Sequence, residues 1–217
     1  MRLLSVNVGV PRSVTYRGRT YMTSIFKQPV SERVMLGHLN VDGDAQGNKV
    51  THGGTHMAVY VYSFDHYAHW AAELGRGDLA PGAFGENFTV DGMTEDRVRI
   101  GDRYRIGGAV VEISEPRTPC HKLAMRMDSQ TFPKAFLASG RVGFYCRVLE
   151  EGEVGAGDAI EKVASDPGAM TVGEVMAVWR AGGKDTDSMR RALSLAALSP
   201  SWREVFAERL GGGAPAR

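Results

Sequence analysis

The stretch from residue 97 to 114, "RVRIGDRYRIGGAVVEIS", restricts the fold more than any other part of the chain. Apolar and charged residues alternate on both sides of Gly101-Asp102, and Gly107-Gly108 can supply the positive φ angles of a tight hairpin. The pattern predicts an antiparallel meander with one solvent-exposed face. Similar short apolar runs, broken by Gly, Asp and Asn, continue to about residue 163. Because closure removes exposed edges, we expect a mainly β fold built on a small closed or half-closed barrel.

One helix interrupts the predicted strands at "SFDHYAHWAAELG", residues 63 to 75. Ser63 can cap its start, and Gly75 can end it in a left-handed conformation. His66 and His69 lie three positions apart on this helix and could form half of a metal site. No acid or cysteine lies at ligand spacing beside them, so we interpret them as solvated or edge-packed histidines.

The sequence changes to a helical period after "SDPGAM", residues 165 to 170. Thr171 and Glu174 form a predicted capping box, and Ser199-Pro200 is expected to cap and open the last of three short helices. So small a helical unit needs a surface to pack on, which is either the barrel or a second copy, and we expect a homodimer. The predicted organisation is a barrel domain at 1–164, a linker at 165–170, a three-helix appendage at 171–210 and a disordered tail at 211–217.

Composition restricts the partners and the location. The net charge of +1 provides no overall field for nucleic acid or an anionic membrane. No apolar run has the length of a secretion signal or a membrane-spanning helix, so we expect a cytoplasmic protein. Two cysteines in 217 residues do not make a disulfide framework, and both are predicted to be reduced. Common nucleotide-binding, serine-hydrolase and Cys-x-x-Cys motifs are absent from the sequence.

The segment "EPRTPCHKL", residues 115 to 123, carries the strongest chemical signal. Pro116 and Pro119 restrict the backbone that presents Cys120. Positive charge nearby favours the thiolate, which is the form that attacks electrophiles and binds metals, and the candidates are Arg117, His121 and Lys122. The alternative is a small buried residue at the start of a helix. Cys146, in "GFYCRVL", alternates like a strand residue and is predicted to lie in the core.

Two further polar segments contain glycine. In "THGGTH", His52 and His56 have zinc-ligand spacing, but Gly53-Gly54 makes a helix improbable there. The two glycines indicate either close approach of the backbone to a ligand or a plain turn into the next strand. In "FGENF", the carboxylate and amide of residues 86 and 87 either contact the polar edge of a ligand or form a turn.

These motifs occur in a recognisable order: "HGG" at 52–54, "FGEN" at 84–87, "EPRTPCHKL" and then "GRVGFYCRV". In this order the chain resembles MOSC-domain proteins of the YiiM type over nearly its whole length. The resemblance implies a barrel followed by a short helical bundle, and a molybdopterin-type molybdenum cofactor bound through Cys120. It also implies reduction of small N-hydroxylated compounds such as 6-hydroxylaminopurine. One departure is that Thr55, His56 and Met57 follow "HGG", where related chains usually have Pro-Asp and a basic residue.

The resemblance implies a set of site residues. Cys120 would ligate molybdenum, a metal that accepts a soft thiolate. The candidates for the cofactor phosphate are the Gly53-Gly54 turn and the cations Arg117, Lys122 and Arg126, and those for the pterin edge are Glu86 and Asn87. Lys27 is placed near the substrate oxygen, and either Lys27 or His52 would donate a proton. Because iron–sulfur spacings and flavin fingerprints are absent from the sequence, an external electron-transfer protein is required.

Two other hypotheses use the same cysteine. In the first, Cys120 carries a persulfide or passes the cofactor on, so that the protein is a carrier rather than a reductase. In the second, Cys120 is the nucleophile of a metal-free hydrolase with His52 or His121 as its base.

Overall fold

A computed structural model describes residues 1–45 and 53–212 of the chain. Its strands are β1 (Leu3–Val8), β2 (Arg12–Tyr16), β3 (Arg19–Thr23), β4 (Gln28–Val30), β5 (Val34–Leu36), β6 (Val59–Ser63), β7 (Phe88–Val90), β8 (Arg103–Ile106), β9 (Ala109–Pro116), β10 (Phe144–Glu150), β11 (Gly152–Val154) and β12 (Ile160–Ala164). Its α-helices are α1 (Tyr67–Leu74), α2 (His121–Met127), α3 (Phe132–Ser139), α4 (Val172–Arg180), α5 (Thr186–Leu193) and α6 (Pro200–Leu210). Short 3₁₀ turns occupy Thr55–Met57 and Phe64–His66.

The main sheet has eight strands in the order β12-β8-β9-β10-β6-β7-β1-β4. Its pairs are antiparallel except for the parallel pair β6–β7. The chain start also contacts the segment before β12, because the Leu3 amide donates to the Asp158 carbonyl at 2.9 Å and the Gly157 amide donates to the Leu3 carbonyl at 2.7 Å. The mainly β prediction is confirmed, whereas the ladder of strands stays open and a closed barrel is not confirmed.

The hairpin predicted from the opening stretch forms between β8 and β9, with Ile106 opposite Ala109. The predicted first strand of the meander, at residues 97 to 100, does not form, because no residue of this segment is part of a strand ladder. The Val98 carbonyl instead accepts from the Val172 amide at 3.0 Å, and Arg99 forms an isolated bridge with Thr171. Alternation at 97–100 therefore reflects packing beneath the C-terminal helices.

Helix α1 ends as the sequence indicates, since Gly75 has a left-handed φ of 61°. Its start differs from the prediction: the Ser63 side chain accepts from the Asp65 amide and caps the 3₁₀ turn Phe64–His66, whereas α1 begins at Tyr67 without a side-chain cap. His66 differs from the expectation, since it is buried and its Nε2 lies 2.7 Å from the Glu95 carboxylate. Glu95 is 29 residues away in sequence, so the local pattern could not reveal it. In the described part of the chain, no three His, Cys, Asp or Glu side chains assemble as metal ligands.

The C-terminal helices pack on the sheet of the same chain. The Thr171–Glu174 capping box forms at the start of α4. The Ser199 amide donates to the Ser114 carbonyl of β9 at 3.1 Å, which fixes the start of α6 against the sheet. The Ser199 side chain makes no cap on α6 and contacts the Ser201 hydroxyl instead. The chain itself thus supplies the packing surface, and the homodimer stays a prediction. Among the described helices, none has the length and apolarity to cross a bilayer.

Candidate functional site

An open pocket with a cavity volume of about 90 Å³ lies where β9 leads into α2. Five residues singled out from the sequence line it together: Lys27, Asn87, Arg117, Cys120 and Lys122. Asp44, Tyr60 and Tyr145 also line it. We call this cavity the cationic pocket, because its lining includes three basic side chains.

Cys120 is positioned by the junction between strand and helix. It precedes α2 with an extended backbone, φ −118° and ψ 174°, and its carbonyl accepts from the Leu123 amide at 2.9 Å. The residue is half-buried and is not part of a disulfide. Cys146 lies in β10 with 1% of its surface exposed, and burial raises the pKa of its thiol. The structure therefore distinguishes one pocket-lining cysteine from one core cysteine.

Arg117 provides a fixed positive charge beside Cys120. It directly follows β9, and only 5% of its surface is exposed. Its guanidinium donates to the Tyr60 hydroxyl at 3.2 Å and lies 4.5 Å from the centre of the Tyr60 ring. Its backbone amide donates to the Gly143 carbonyl at 3.1 Å. A guanidinium keeps its charge when buried, so this residue can orient an anionic group in the pocket.

Lys27 belongs to a buried polar network in the same pocket. Its ammonium group donates to the Asp44 carboxylate, which also accepts from the Gly9 amide at 2.8 Å and from the Asn87 side chain at 2.9 Å. Burial lowers the pKa of Lys27, and the neighbouring Asp44 carboxylate opposes that shift. The network thus fixes an amine that can give up a proton more readily than an exposed lysine.

Sequence reasoning missed Asp44 and the two pocket tyrosines. The polar, glycine-containing run "DGD" at 42–44 was a signal that this segment forms a loop. Nothing local showed that its second aspartate would reach Lys27. Tyr60 and Tyr145 lie opposite each other in β6 and β10, with ring centres 5.4 Å apart. Their place in the pocket depends on that strand pairing.

Glu86 has a different position from Asn87. Its carboxylate is fully buried and accepts from the Gly82 amide at 2.9 Å, the Phe84 amide at 3.0 Å, the Thr89 hydroxyl at 2.9 Å and the Tyr67 hydroxyl. Burial raises the pKa of Glu86, although these hydrogen bonds oppose the shift. The carboxylate lies outside the pocket lining. We therefore assign Glu86 to shaping the loop that carries Gly85 and Asn87.

Gly85 is expected to be intolerant of a side chain. Its φ is +82°, and a Cβ atom would lie 2.8 Å from Cγ1 of Ile25, which also lines the cationic pocket. Gly85→Ala should cost about 2 to 4 kcal/mol of unfolding free energy, from backbone strain plus overlap. Gly18→Ala is the matched control, since its φ is +75° and nothing lies within 4 Å, so only about 1 kcal/mol is expected. Urea unfolding measures both, and equal losses would contradict the predicted clash.

The remaining predicted residues are placed apart from the lining of this pocket. The Arg126 guanidinium lies 5.2 Å from the centre of the Phe26 ring, which Arg12 also contacts, and burial together with Arg76 lowers its pKa. Gly54 has a φ of 95° and precedes the turn that brings Met57 to the pocket, and Gly53 comes just before it. His52 lies outside the described residues.

Comparison with known proteins identifies the family of the chain. A family profile described as the MOSC domain matches residues 48–161, more than half of the chain. The chain therefore belongs to the MOSC-domain family. A second profile, described as "YiiM-like, 3-alpha helix domain", matches residues 170–213, and this places the chain among the YiiM-like members of that family.

Individual relatives cover most of the chain. The uncharacterized protein YflK of Bacillus subtilis is 41% identical over 207 residues, which are 95% of this chain and 93% of that protein. The crystal structure of YiiM from Geobacillus stearothermophilus is 35% identical with a TM-score of 0.82, over 96% of this chain and 98% of the other. A Gibberella moniliformis protein named "Reductase" is 39% identical over 146 residues, 66% of this chain and 26% of that protein.

Proposed function

We propose that the protein reduces small N-hydroxylated compounds, such as 6-hydroxylaminopurine, with a molybdenum–pterin cofactor bound in the cationic pocket. The observation that carries the proposal is that the Cys120 thiol shares this pocket with Lys27, Arg117 and Lys122. Membership of the MOSC-domain family supports an association with molybdenum cofactor. The relative named "Reductase" supports redox chemistry.

The residues present fit such a group. A thiolate is a suitable ligand for molybdenum whose other sulfur ligands come from a pterin dithiolene. The cofactor is anionic, and Arg117 and Lys122 supply positive charge in the same pocket lining as Cys120. Asp44 is the acid in the pocket lining, and its charge is offset by the ion pair with Lys27. The pocket therefore has the charge and the ligand type that the group requires.

Each side chain then has a separate role. Cys120 would bind the metal, and Arg117 with Lys122 would bind and orient the anionic part of the cofactor. The Asn87 side chain donates to Asp44 and to the Asn7 carbonyl, and its oxygen accepts from the Tyr60 amide. The second lone pair of that oxygen would accept from the polar edge of the pterin. Lys27 would donate a proton to the oxygen of the substrate as the N–O bond breaks. When bound, the cofactor would supply the two electrons that this cleavage requires.

The overall reaction balances with an external reductant. A hydroxylamine, two electrons and two protons give the amine and one water molecule. The proposal therefore includes an electron-transfer protein as partner, and chemical electron donors can replace it in an assay.

The test is to express the protein in a host that makes molybdenum cofactor and to measure molybdenum per chain and released pterin fluorescence. We expect about one equivalent of each and reduction of 6-hydroxylaminopurine by dithionite-reduced methyl viologen. Bound pterin without turnover would favour the carrier hypothesis. Esterase or amidase activity that survives without molybdenum and is lost on alkylation of Cys120 would favour the hydrolase hypothesis.

A further inference from the structure

A second cavity adjoins the cationic pocket and lies between the sheet and the C-terminal helices. Its lining includes Glu115 of β9, Trp179 of α4, and Ser201, Trp202 and Val205 of α6. We call it the helix-side pocket. Met57, Cys120 and Tyr145 line both cavities. Cys120 therefore lies at the boundary between them, and a molecule bound in the second cavity would have one end at the thiol.

The helix-side pocket differs chemically from the cationic one. Trp179 and Trp202 pack against each other with ring centres 6.2 Å apart, and together they give the cavity an aromatic wall. Glu115 is 4% exposed and accepts a long hydrogen bond of 3.5 Å from the Ser201 hydroxyl. Burial raises the pKa of Glu115 to about 7, so this carboxyl is present in both protonation states near neutral pH. An anionic cofactor has its positive partners in the other pocket.

Indole rings and one buried carboxyl match the chemistry of a flat nitrogen heterocycle. An aromatic wall can stack on the face of a base, and base–aromatic stacking has a substantial free energy for each ring. A carboxyl can accept from a ring N–H or an amino group when ionised, and can donate to a ring nitrogen when protonated. The bond from the Ser199 amide to the Ser114 carbonyl fixes α6 beside Glu115, so the pocket exists only with the helices in place.

We propose that the helix-side pocket binds the heteroaromatic ring of the substrate, with Trp179 and Trp202 against its face, Glu115 at its polar edge and the N-hydroxyl group directed to Cys120. This inference rests on the proposed reductase function and assigns the binding of the substrate ring to residues of α4, α6 and the end of β9. It also gives the C-terminal helices a direct part in substrate choice.

The test fills the pocket from α6. Val205→Phe places a ring in the cavity, and Ala207→Phe on the exposed side of the same helix is the matched control. N-methylhydroxylamine has no ring and is the reference substrate. We expect Val205→Phe to raise KM for 6-hydroxylaminopurine at least tenfold relative to KM for N-methylhydroxylamine. The control should leave this KM ratio and the pterin content unchanged. Circular dichroism checks folding, and Val205→Leu replaces the phenylalanine variant if that variant does not fold.

A binding measurement separates this inference from the proposed function. Adenine, the amine product, should quench tryptophan fluorescence of the wild type in a saturable way, and Val205→Phe should lose this response while Ala207→Phe keeps it. The inference is overturned if the KM ratio is unchanged in Val205→Phe, or if adenine gives no saturable quenching. If the wild type holds no pterin and reduces nothing, the reductase proposal fails, and the quenching result alone decides whether the pocket binds a planar base.

Discussion

Cys120→Ala is expected to abolish molybdenum binding, pterin retention and reductase turnover while the fold stays intact. The side chain is half-buried at a pocket boundary and forms no disulfide, so its removal opens little core. The loss of the thiolate removes the protein ligand proposed for the metal. Molybdenum per chain, pterin fluorescence and turnover with reduced viologen measure the effect, and circular dichroism checks the fold.

The second cysteine provides the control for this experiment. Cys146 is 1% exposed in β10, so Cys146→Ala should cost about 1 to 2 kcal/mol of stability and leave cofactor content unchanged. Full cofactor loading and turnover in Cys120→Ala would refute the proposed metal ligand. Loss of cofactor in both variants, with both folded, would mean that the effect does not come from the pocket thiol.

Asp44→Asn is expected to destabilise the protein more than Lys27→Met does. Removing the carboxylate leaves a buried ammonium group without its counter-charge, which costs about 3 to 5 kcal/mol. Removing the lysine leaves Asp44 with the Gly9 amide and the Asn87 side chain as donors, so about 1 to 3 kcal/mol is expected. Both variants should lose at least tenfold in kcat, because both disturb the proposed proton donor.

The pH dependence of these variants follows from the direction of the Lys27 shift. Burial lowers the pKa of Lys27 in the folded state. Between that lowered pKa and the ordinary lysine pKa, the unfolded chain therefore binds more protons than the folded chain. In this pH range the contribution of Lys27 to the free energy of unfolding rises with pH. Loss of the Asp44 charge lowers the pKa of Lys27 in the folded state further, so this pH range extends to lower pH. The destabilisation by Asp44→Asn should thus be smaller at pH 9 than at pH 6 in urea unfolding. A pH-independent penalty would show that the lysine is not the source of the effect.

Local sequence patterns predicted the helices, strands and turns better than they predicted which segments these elements pair with or pack against. The tight hairpin at Gly107-Gly108, the capping box of α4 and the left-handed end of α1 each depend on residues within a few positions, and all are confirmed. Local patterns did not predict contacts between segments that lie far apart in the sequence. The segment at 97–100 looks like a strand by alternation, yet it packs against the start of α4.

The same distinction applies to the site. Motif order indicated Cys120, Arg117, Lys122 and Asn87, and the structure brings them to one pocket. The Asp44 partner of Lys27 and the wall formed by Trp179 and Trp202 come from other segments, so they required the three-dimensional arrangement. Glu86 is the opposite case. Its motif indicated a residue that contacts the ligand, but its carboxylate accepts hydrogen bonds from backbone amides of its own loop.

The hydrogen bonds between Leu3 and residues 157 and 158 have a consequence for synthesis of the protein. The first strand lies inside the sheet, but part of its backbone stays unpaired until a segment some 155 positions later has left the ribosome. Contacts of such sequence separation form slowly, because a long loop must close first. A nascent chain lacking its last strand also leaves β8 unpaired on the side that β12 covers in the folded protein, and unpaired strand edges make incomplete chains prone to aggregate.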